Sequence, residues 1–235
     1  MFNQNEHLHS IMYDRLGVSW YEKLKDFIDS EAFNIIRTKL LEDSDTNIIY
    51  PPAAQAYRAF KLSSYDRTNV VILGQCPYHD STANGLCFST NGKITPSLRV
   101  ILKAMQEELS PIYSLRSTDF SDLAAQGVLL LNTALSVRAK QPGSHIALWK
   151  PFTDKVVQTL FEKDKLIWML WGTHALGAVG NVPSGHEILY SNHPAAQMYN
   201  PKLKFTPGFS RVNEILKKWN KDPIEWMEVQ DDLPF

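Results

Sequence analysis

The fold class this sequence predicts is α/β: a single-domain, three-layer α/β/α sandwich around a central four-stranded parallel sheet. Three observations predict it. Four short runs rich in Val, Leu and Ile, at 69–74 (NVVILG), 127–133 (GVLLLNT), 165–172 (KLIWMLWG) and 187–194 (EILYSNHP), each close on polar or small residues. Helix-like segments alternate with them, the order expected of parallel strands joined by crossovers. The runs are also continuously apolar, as strands covered on both faces are. With 235 residues and 44% hydrophobic content, the chain can bury a sizeable core as one domain, 1–235. No repeat, low-complexity tract or Gly/Ser-rich linker divides it.

Taken in order, the N-terminal part, 1–44, reads helical. Trp20, Leu24, Phe27 and Ile28 fall on one helical face, as do Phe33, Ile36 and Leu40. YPP at 50–52 marks a turn, and AAQAYRAF (53–60) resumes a short helix. The first strand follows, then a helix over 97–109 (SLRVILKAMQEEL) and the second strand. A helix over 151–163 (PFTDKVVQTLFEK) leads to the third strand. After the fourth comes FSRVNEILKKW (209–219), again helical.

Composition excludes several classes. Lys+Arg 24 against Asp+Glu 25 leaves a net charge of -1, so no overall basic field announces a nucleic-acid partner. Locally, Lys202, Lys204, Arg211, Lys217, Lys218 and Lys221 face only Glu214 before an acidic tail of Asp222, Glu225, Glu228, Asp231 and Asp232. Such runs suit a basic binding face or an ordinary solvated one. Cys76 and Cys87 make neither a disulfide framework nor a CxxC metal pair. His7 and His9 are isolated and the other histidines lack ligand spacing, so no metal is expected. MFNQNEHLHS lacks a signal-peptide core, and no run of about 18 apolar residues could span a membrane. The expectation is a soluble protein of a reducing compartment.

Open parallel sheets bind ligands beyond the carboxyl ends of their strands. The residues just past the four runs are Gln75 to His79, Asn132 and Thr133, Gly172 and Thr173, and Asn192 to Pro194. Asn132 carries two donors and an acceptor, suited to a planar amide-bearing ring. His193, held by Pro194, can donate to an oxygen that becomes anionic. Phe88 offers a flat stacking face and Tyr78 a bulky wall. Singly, each has an ordinary reading as a cap, an exposed histidine or a core aromatic. Their coincidence at the strand ends describes a pocket for a nucleobase.

The same residues carry a resemblance. GQCPYH (74–79) resembles the G-Q-D-P-Y-H motif of family-1 uracil-DNA glycosylases, with Cys76 in place of Asp. NGLCFS (84–89) is similar to that family's H-G-L-C-F-S segment, and GVLLLNTALSVRAKQPGSH (127–145) to its strand and following loop. Trp149, Phe152, Thr153, LWG (170–172), NHPAAQ (192–197) and DPIEW (222–226) continue the match in order. It covers roughly 45–228, leaving 1–44 as a helical N-terminal part of the same domain.

The resemblance implies an enzyme that flips uracil out of single- or double-stranded DNA and hydrolyses its N-glycosidic bond in base excision repair. No cofactor and no membrane are implied. A monomer is expected, in the cytoplasm or, for a eukaryotic or viral source, the nucleus, with a protein inhibitor or replication partner left open. Gln75 would line the uracil pocket through its backbone, Tyr78 would exclude a 5-methyl ring, and Phe88 would stack on the base. Asn132 would read the Watson–Crick edge, and His193 would donate to O2 as the bond breaks. Thr95, Pro96 and Ser97 would press the DNA backbone. His79, Gly172, Thr173, Pro194, Ala195 and Gln197 would also face DNA.

Three departures qualify this. The family's Asp positions the attacking water and stabilises the cationic sugar, whereas a thiol of pKa about 8.5 is mostly neutral near pH 7. Gln197 stands where the family has a wedging Leu. Asn84 replaces a His and is expected to be peripheral. Three readings therefore remain: an active glycosylase of reduced efficiency, a uracil- or DNA-binding module with little turnover, and an enzyme using Cys76 as a nucleophile.

Overall fold

In the computed structural model, which describes residues 4–109 and 116–227, the four apolar runs become strands β2 (Val70–Gly74), β3 (Val128–Asn132), β5 (Ile167–Trp171) and β6 (Glu187–Ser191). They form one parallel sheet in the order β3-β2-β5-β6. The register sets Val70 opposite both Val128 and Ile167, and Gly74 opposite Asn132. Every residue of β2, β3 and β5 is buried, so both faces of these strands are covered. β6 departs from the expectation. It is an edge strand like β3, but α4 (Arg58–Leu62) and α6 (Ser121–Ala125) pack on β3 while no helix packs comparably on β6, and Ile188 and Tyr190 are exposed there.

Two groups of helices enclose the sheet. One comprises α1 (Gln4–Leu16), α2 (Val18–Ile28), α3 (Glu31–Ser44), α4 (Arg58–Leu62) and α7 (Ile146–Leu160). The other pairs α5 (Pro96–Leu109) with α10 (Phe209–Lys218). The short helices α6 (Ser121–Ala125), α8 (Thr173–Val179) and α9 (Ala196–Tyr199) finish the connections. Trp20, Leu24 and Ile28 bury one stripe of α2, and the Trp20 indole donates to the Ser63 carbonyl at 2.8 Å. Ser30 caps α3 by accepting from the Phe33 N–H at 3.3 Å.

Two helix boundaries differ from expectation. α4 begins only at Arg58, residues 53–57 being turns. α7 begins at Ile146, five residues before Pro151, which lies inside it. Pro151 removes one helix hydrogen bond. Trp149 and Phe152, both fully buried, hold the helix in place across that gap, and the Trp149 indole donates to Ser136 Oγ at 2.8 Å. A two-stranded antiparallel ribbon, β1 (Ile49–Tyr50) with β4 (Val137–Arg138), was not foreseen. The acidic-tail residues Glu228, Asp231 and Asp232 lie outside the described residues.

Candidate active site

The strand ends deliver their next residues to one edge of the sheet. Thr133 and Ala134 donate backbone N–H groups to the carbonyls of Gly74 and Gln75, both at 3.0 Å. The Thr133 hydroxyl also donates to the Gln75 carbonyl at 2.8 Å. The turn after β2 is thus tied to the end of β3. A cavity of about 140 Å³ opens there, and Gln75, Cys76, Tyr78, Phe88, Asn132 and His193 all line it. At roughly 30 Å³ per water, that is room for a few waters or one small planar ring.

Asn132 is 7% exposed, and its carboxamide has no hydrogen-bond partner among the described residues. Buried amides normally find partners, so this one is positioned for a ligand. Gly74 makes its placement possible. A Cβ at Gly74 would collide with Asn132 Oδ1 and come within 2.8 Å of Cys87 Cβ.

Phe88 adopts φ 62°, a left-handed conformation that costs a bulky residue about 1–2 kcal/mol. Its turn is pinned by Cys87, whose N–H donates to the Leu130 carbonyl (3.1 Å) and whose thiol donates to the Ile72 carbonyl (3.3 Å). The Phe88 ring is thereby aimed over the cavity, 5.1 Å from the Trp171 ring and 5.9 Å from that of His193. Tyr78 hydrogen-bonds the Thr95 hydroxyl at 2.7 Å. Burial pushes its phenol pKa up to about 12 against that bond.

His193 faces the mouth, with its Cβ packed on Gly172. Gly172 has φ 95°, and a Cβ there would lie 3.0 Å from that of His193. Burial holds the imidazole below the usual histidine pKa, so it is neutral near pH 7. Its Nδ1 accepts the Ala195 N–H at 3.2 Å, which leaves the single proton on Nε2. The ring is a neutral Nε2–H donor.

Cys76 is half-buried on the cavity wall. Burial raises its thiol pKa, and a hydrogen bond from the Gly143 backbone offsets this only in part. Near pH 7 the group is an uncharged thiol.

One residue of this edge was not singled out from the sequence. His174, at the start of α8, lies 3.3 Å from Gln75 Nε2 through Nδ1 and 3.1 Å from Thr133 Oγ1 through Nε2. Because the Thr133 hydroxyl donates to the Gln75 carbonyl, it accepts from His174 Nε2–H, and Nδ1 accepts from the Gln75 amide. Gln75, His174 and Thr133 thus close a ring of hydrogen bonds beside Cys76. The signal was weak, since two of these residues become neighbours only through the strand register.

The remaining expected residues fall around the rim. His79, Pro96 and Thr173 are exposed, Ser97 is half-buried on the cavity wall, and Ala195 and Gln197 are half-buried beside His193. Thr95, Gly172 and Pro194 are buried. The Thr95 hydroxyl caps α5 through the Leu98 N–H at 3.3 Å, and the Gly172 N–H donates to the Ser191 carbonyl at 2.8 Å. Shortly after His193, Met198 and Tyr199 are exposed, the latter at 88%. Asn84 corrects an expectation. It is 1% exposed, lines the cavity, and holds its turn by donating to Ser89 Oγ (2.8 Å) and accepting from the Leu86 N–H (3.2 Å). His9 bonds Tyr21 and Asp29 at 2.9 and 2.8 Å.

A parallel α/β/α sandwich with a small half-polar ring pocket at its carboxyl edge is the class that this geometry defines. The model of the Uracil DNA glycosylase superfamily matches residues 60–217. A uracil-DNA glycosylase of Christiangramia forsetii is 40% identical over 220 residues, covering 90% of this chain and 99% of the relative. One from Clostridioides difficile is 39% identical, covering 90% and 96%. The crystal structure of mimivirus uracil-DNA glycosylase superposes with a TM-score of 0.80 at 25% identity, over 88% of this chain and 86% of that one. A mimivirus UNG variant in complex with UGI gives 0.79 at 26%, over 88% and 87%. This chain belongs to the uracil-DNA glycosylase superfamily.

Proposed function

We propose that this chain is a uracil-DNA glycosylase of the family-1 type, acting on single- and double-stranded DNA in base excision repair. The observation that carries the reading is the unpartnered Asn132 carboxamide in a cavity of single-ring size, under Phe88 and beside a neutral His193. Asn132 Oδ1 accepts uracil N3–H and its amide donates to O4. Cytosine, with an acceptor at N3 and a donor at C4, presents the reverse pattern. Phe88 covers the ring face, and Tyr78 closes the space that a 5-methyl group would need.

As the bond between C1′ and N1 breaks, its electron pair passes into the ring and charge accumulates on O2. His193 Nε2–H donates to that oxygen. A neutral imidazole suits the task, since it strengthens its hydrogen bond as the charge develops. Uracil leaves as the anion, and a water bonds to C1′ and gives up its proton to solvent. Cys76 faces this side of the cavity and supplies no negative charge to the cationic sugar, so turnover is reduced, by about one to three orders of magnitude relative to a carboxylate. The raised thiol pKa argues against Cys76 as a nucleophile, which needs a depressed one. It favours one second reading, base recognition with little turnover.

The Gln75–His174–Thr133 ring positions the turn that carries Cys76. His79, Thr95–Ser97, Gly172–Thr173 and Pro194–Gln197 form the DNA-facing rim, with Gln197 and the exposed Met198 and Tyr199 at the point of base extrusion. Residues 45–228 form the working core, and 1–44 buttress it. No metal or organic cofactor enters the reaction, and the chain acts as a monomer in the compartment that holds its DNA, cytoplasm or nucleus. A protein inhibitor of the kind in the UNG–UGI complex is a fitting partner. Among the described residues, no helix is long and apolar enough to cross a membrane.

The test is incubation with single-stranded oligonucleotides carrying one uracil, thymine or cytosine, scoring free base, abasic strand and covalent adducts separately. Release of uracil alone supports the reading. Binding without release supports the second, and an adduct would overturn both.

A further inference from the structure

A second chamber lies away from the base pocket, between α1, α3 and the 51–57 turn. Its volume is about 350 Å³, within the range of small-molecule sites. Met12, Phe33, Leu40 and Trp149 make most of its wall apolar. His7, Arg15, Arg37, Ser44, Tyr57 and Ser136 interrupt that wall, and among them Arg15, Arg37 and the Tyr57 hydroxyl have no hydrogen-bond or ion-pair partner among the described residues. Arg15 and Arg37 line the chamber and form no ion pair or hydrogen bond among the described residues. Tyr57, 6% exposed, also lines it, and its hydroxyl has no hydrogen-bond partner there.

These groups converge. Arg15 Cζ stands 6.0 Å from the Tyr57 ring centroid, and both guanidinium charges act on the Tyr57 hydroxyl. Two cations and a hydroxyl donor in the wall of one largely apolar chamber provide an anion-binding head for an apolar body. Carboxylates suit this head, because guanidinium groups bind them with paired, charge-assisted hydrogen bonds. The other arginines near carboxylates in this fold are used: Arg58, Arg116, Arg138 and Arg211 all pair with Asp or Glu.

We infer that this chamber is a second ligand site, built for a small amphiphilic carboxylate: an apolar body of a few carbons seated against Met12, Phe33 and Trp149, its single carboxylate held by Arg15, Arg37 and Tyr57. The site is independent of the uracil reading, since none of these residues lines the base pocket.

The probes are octanoate, 1-octanol and acetate, titrated calorimetrically into the full chain. Octanoate should bind saturably at one site, with 1-octanol and acetate at least tenfold weaker, because each lacks one half of the match. The Arg15→Gln/Arg37→Gln double variant should lose at least tenfold in octanoate affinity and bind 1-octanol as before. Tyr57→Phe, which keeps the ring packing, should lose several-fold. All variants should melt near the wild-type temperature, since neither guanidinium has a partner to lose, and should leave uracil excision unchanged. Absence of saturable octanoate binding, equal affinity for 1-octanol, or unchanged octanoate affinity in a folded double variant would each overturn the inference.

Discussion

Replacing Cys76 by Asp should turn a slow glycosylase into a faster one. The thiol is held above its ordinary pKa by burial, so with an ordinary value of about 8.5 its thiolate fraction at pH 7 is at most about 3%. A carboxylate at the same place is charged across the whole neutral range. The Gly143 N–H that now meets sulfur would stabilise the charged form of Asp further. A fixed negative charge beside an oxocarbenium-like sugar, in a cavity of about 140 Å³ that excludes most water, stabilises the transition state by about 1.4–4 kcal/mol. That corresponds to one to three orders of magnitude in rate, at about 1.4 kcal/mol for each tenfold. Ground-state affinity for uracil DNA should stay similar or fall slightly, since an added anion lies near phosphates. The assay is single-turnover excision by both proteins from pH 6 to 9. With a neutral thiol, the wild type should be slow and show no climb across the lower part of this range. A rate rising about tenfold per unit would mean that the thiolate does the work. A wild type as fast as Cys76→Asp throughout would show that another group supplies the charge, and this account of the site would be wrong.

Gln197→Leu should improve excision or binding on duplex uracil DNA and change single strands little, because only a duplex must be unstacked and plugged; equal effects on both in parallel assays would remove Gln197 from the wedge position. His174→Ala should lower the single-turnover rate about five- to thirtyfold, the loss of one or two hydrogen bonds at about 1 kcal/mol each. Its melting temperature should hold, because the side chain is exposed, and His174→Gln should recover part of the rate; a loss of melting temperature in step with rate would make the residue merely structural. Burial alone would raise the Asp43 pKa, but hydrogen bonds from Arg138 (2.7 and 2.8 Å) and His145 (2.6 Å) outweigh it and the net value lies below the ordinary one. Its contribution is therefore complete above about pH 4 and lost as pH falls through the lower folded value. Asp43→Asn should cost about 2 kcal/mol at pH 7, less than a fully buried pair because Arg138 is partly exposed. Melting temperature should drop by about 4–8 °C, and the two proteins should converge in acid melts.

The parts of this molecule that were legible in the sequence are those where local pattern and global environment agree. β2, β3 and β5 were visible because strands buried on both faces leave no polar position to break the run. β6 carried the same apolar signal in a different setting, and Ile188 and Tyr190 meet solvent because no helix packs on this edge strand as α4 and α6 do on the other, β3. The start of α7 was hidden because Pro151 reads as a boundary, whereas Trp149 and Phe152 hold a helix through it. The β1–β4 ribbon joins residues about ninety positions apart, with two residues on each side, too little for any periodicity. At the site, strand-end placement and motif spacing pointed to Gln75, Cys76, Tyr78, Phe88, Asn132 and His193, and the fold brings all six to one cavity. What spacing could not carry is how side chains close on one another. The His174 ring, the buried place of Asn84 and the clearance that Gly74 leaves for Asn132 depend on contacts between separate strands and turns. The Arg15–Arg37–Tyr57 cluster lay equally out of reach, since it needs two helices and a turn packed together.

The central claim is that the unpartnered Asn132 carboxamide reads uracil in this cavity. Asn132→Asp tests it most directly. The replacement is nearly isosteric, so the clearance over Gly74 is kept while the donor to O4 becomes an acceptor. Losing that hydrogen bond and adding repulsion should cost about 2–3 kcal/mol. Measured as single-turnover excision from single-stranded DNA, uracil release should fall by about 30- to 150-fold. Any gained activity should fall on cytosine, with inhibition by free uracil weakened to match. Unchanged uracil excision and unchanged uracil inhibition in Asn132→Asp would contradict the account, because the base would then be read elsewhere.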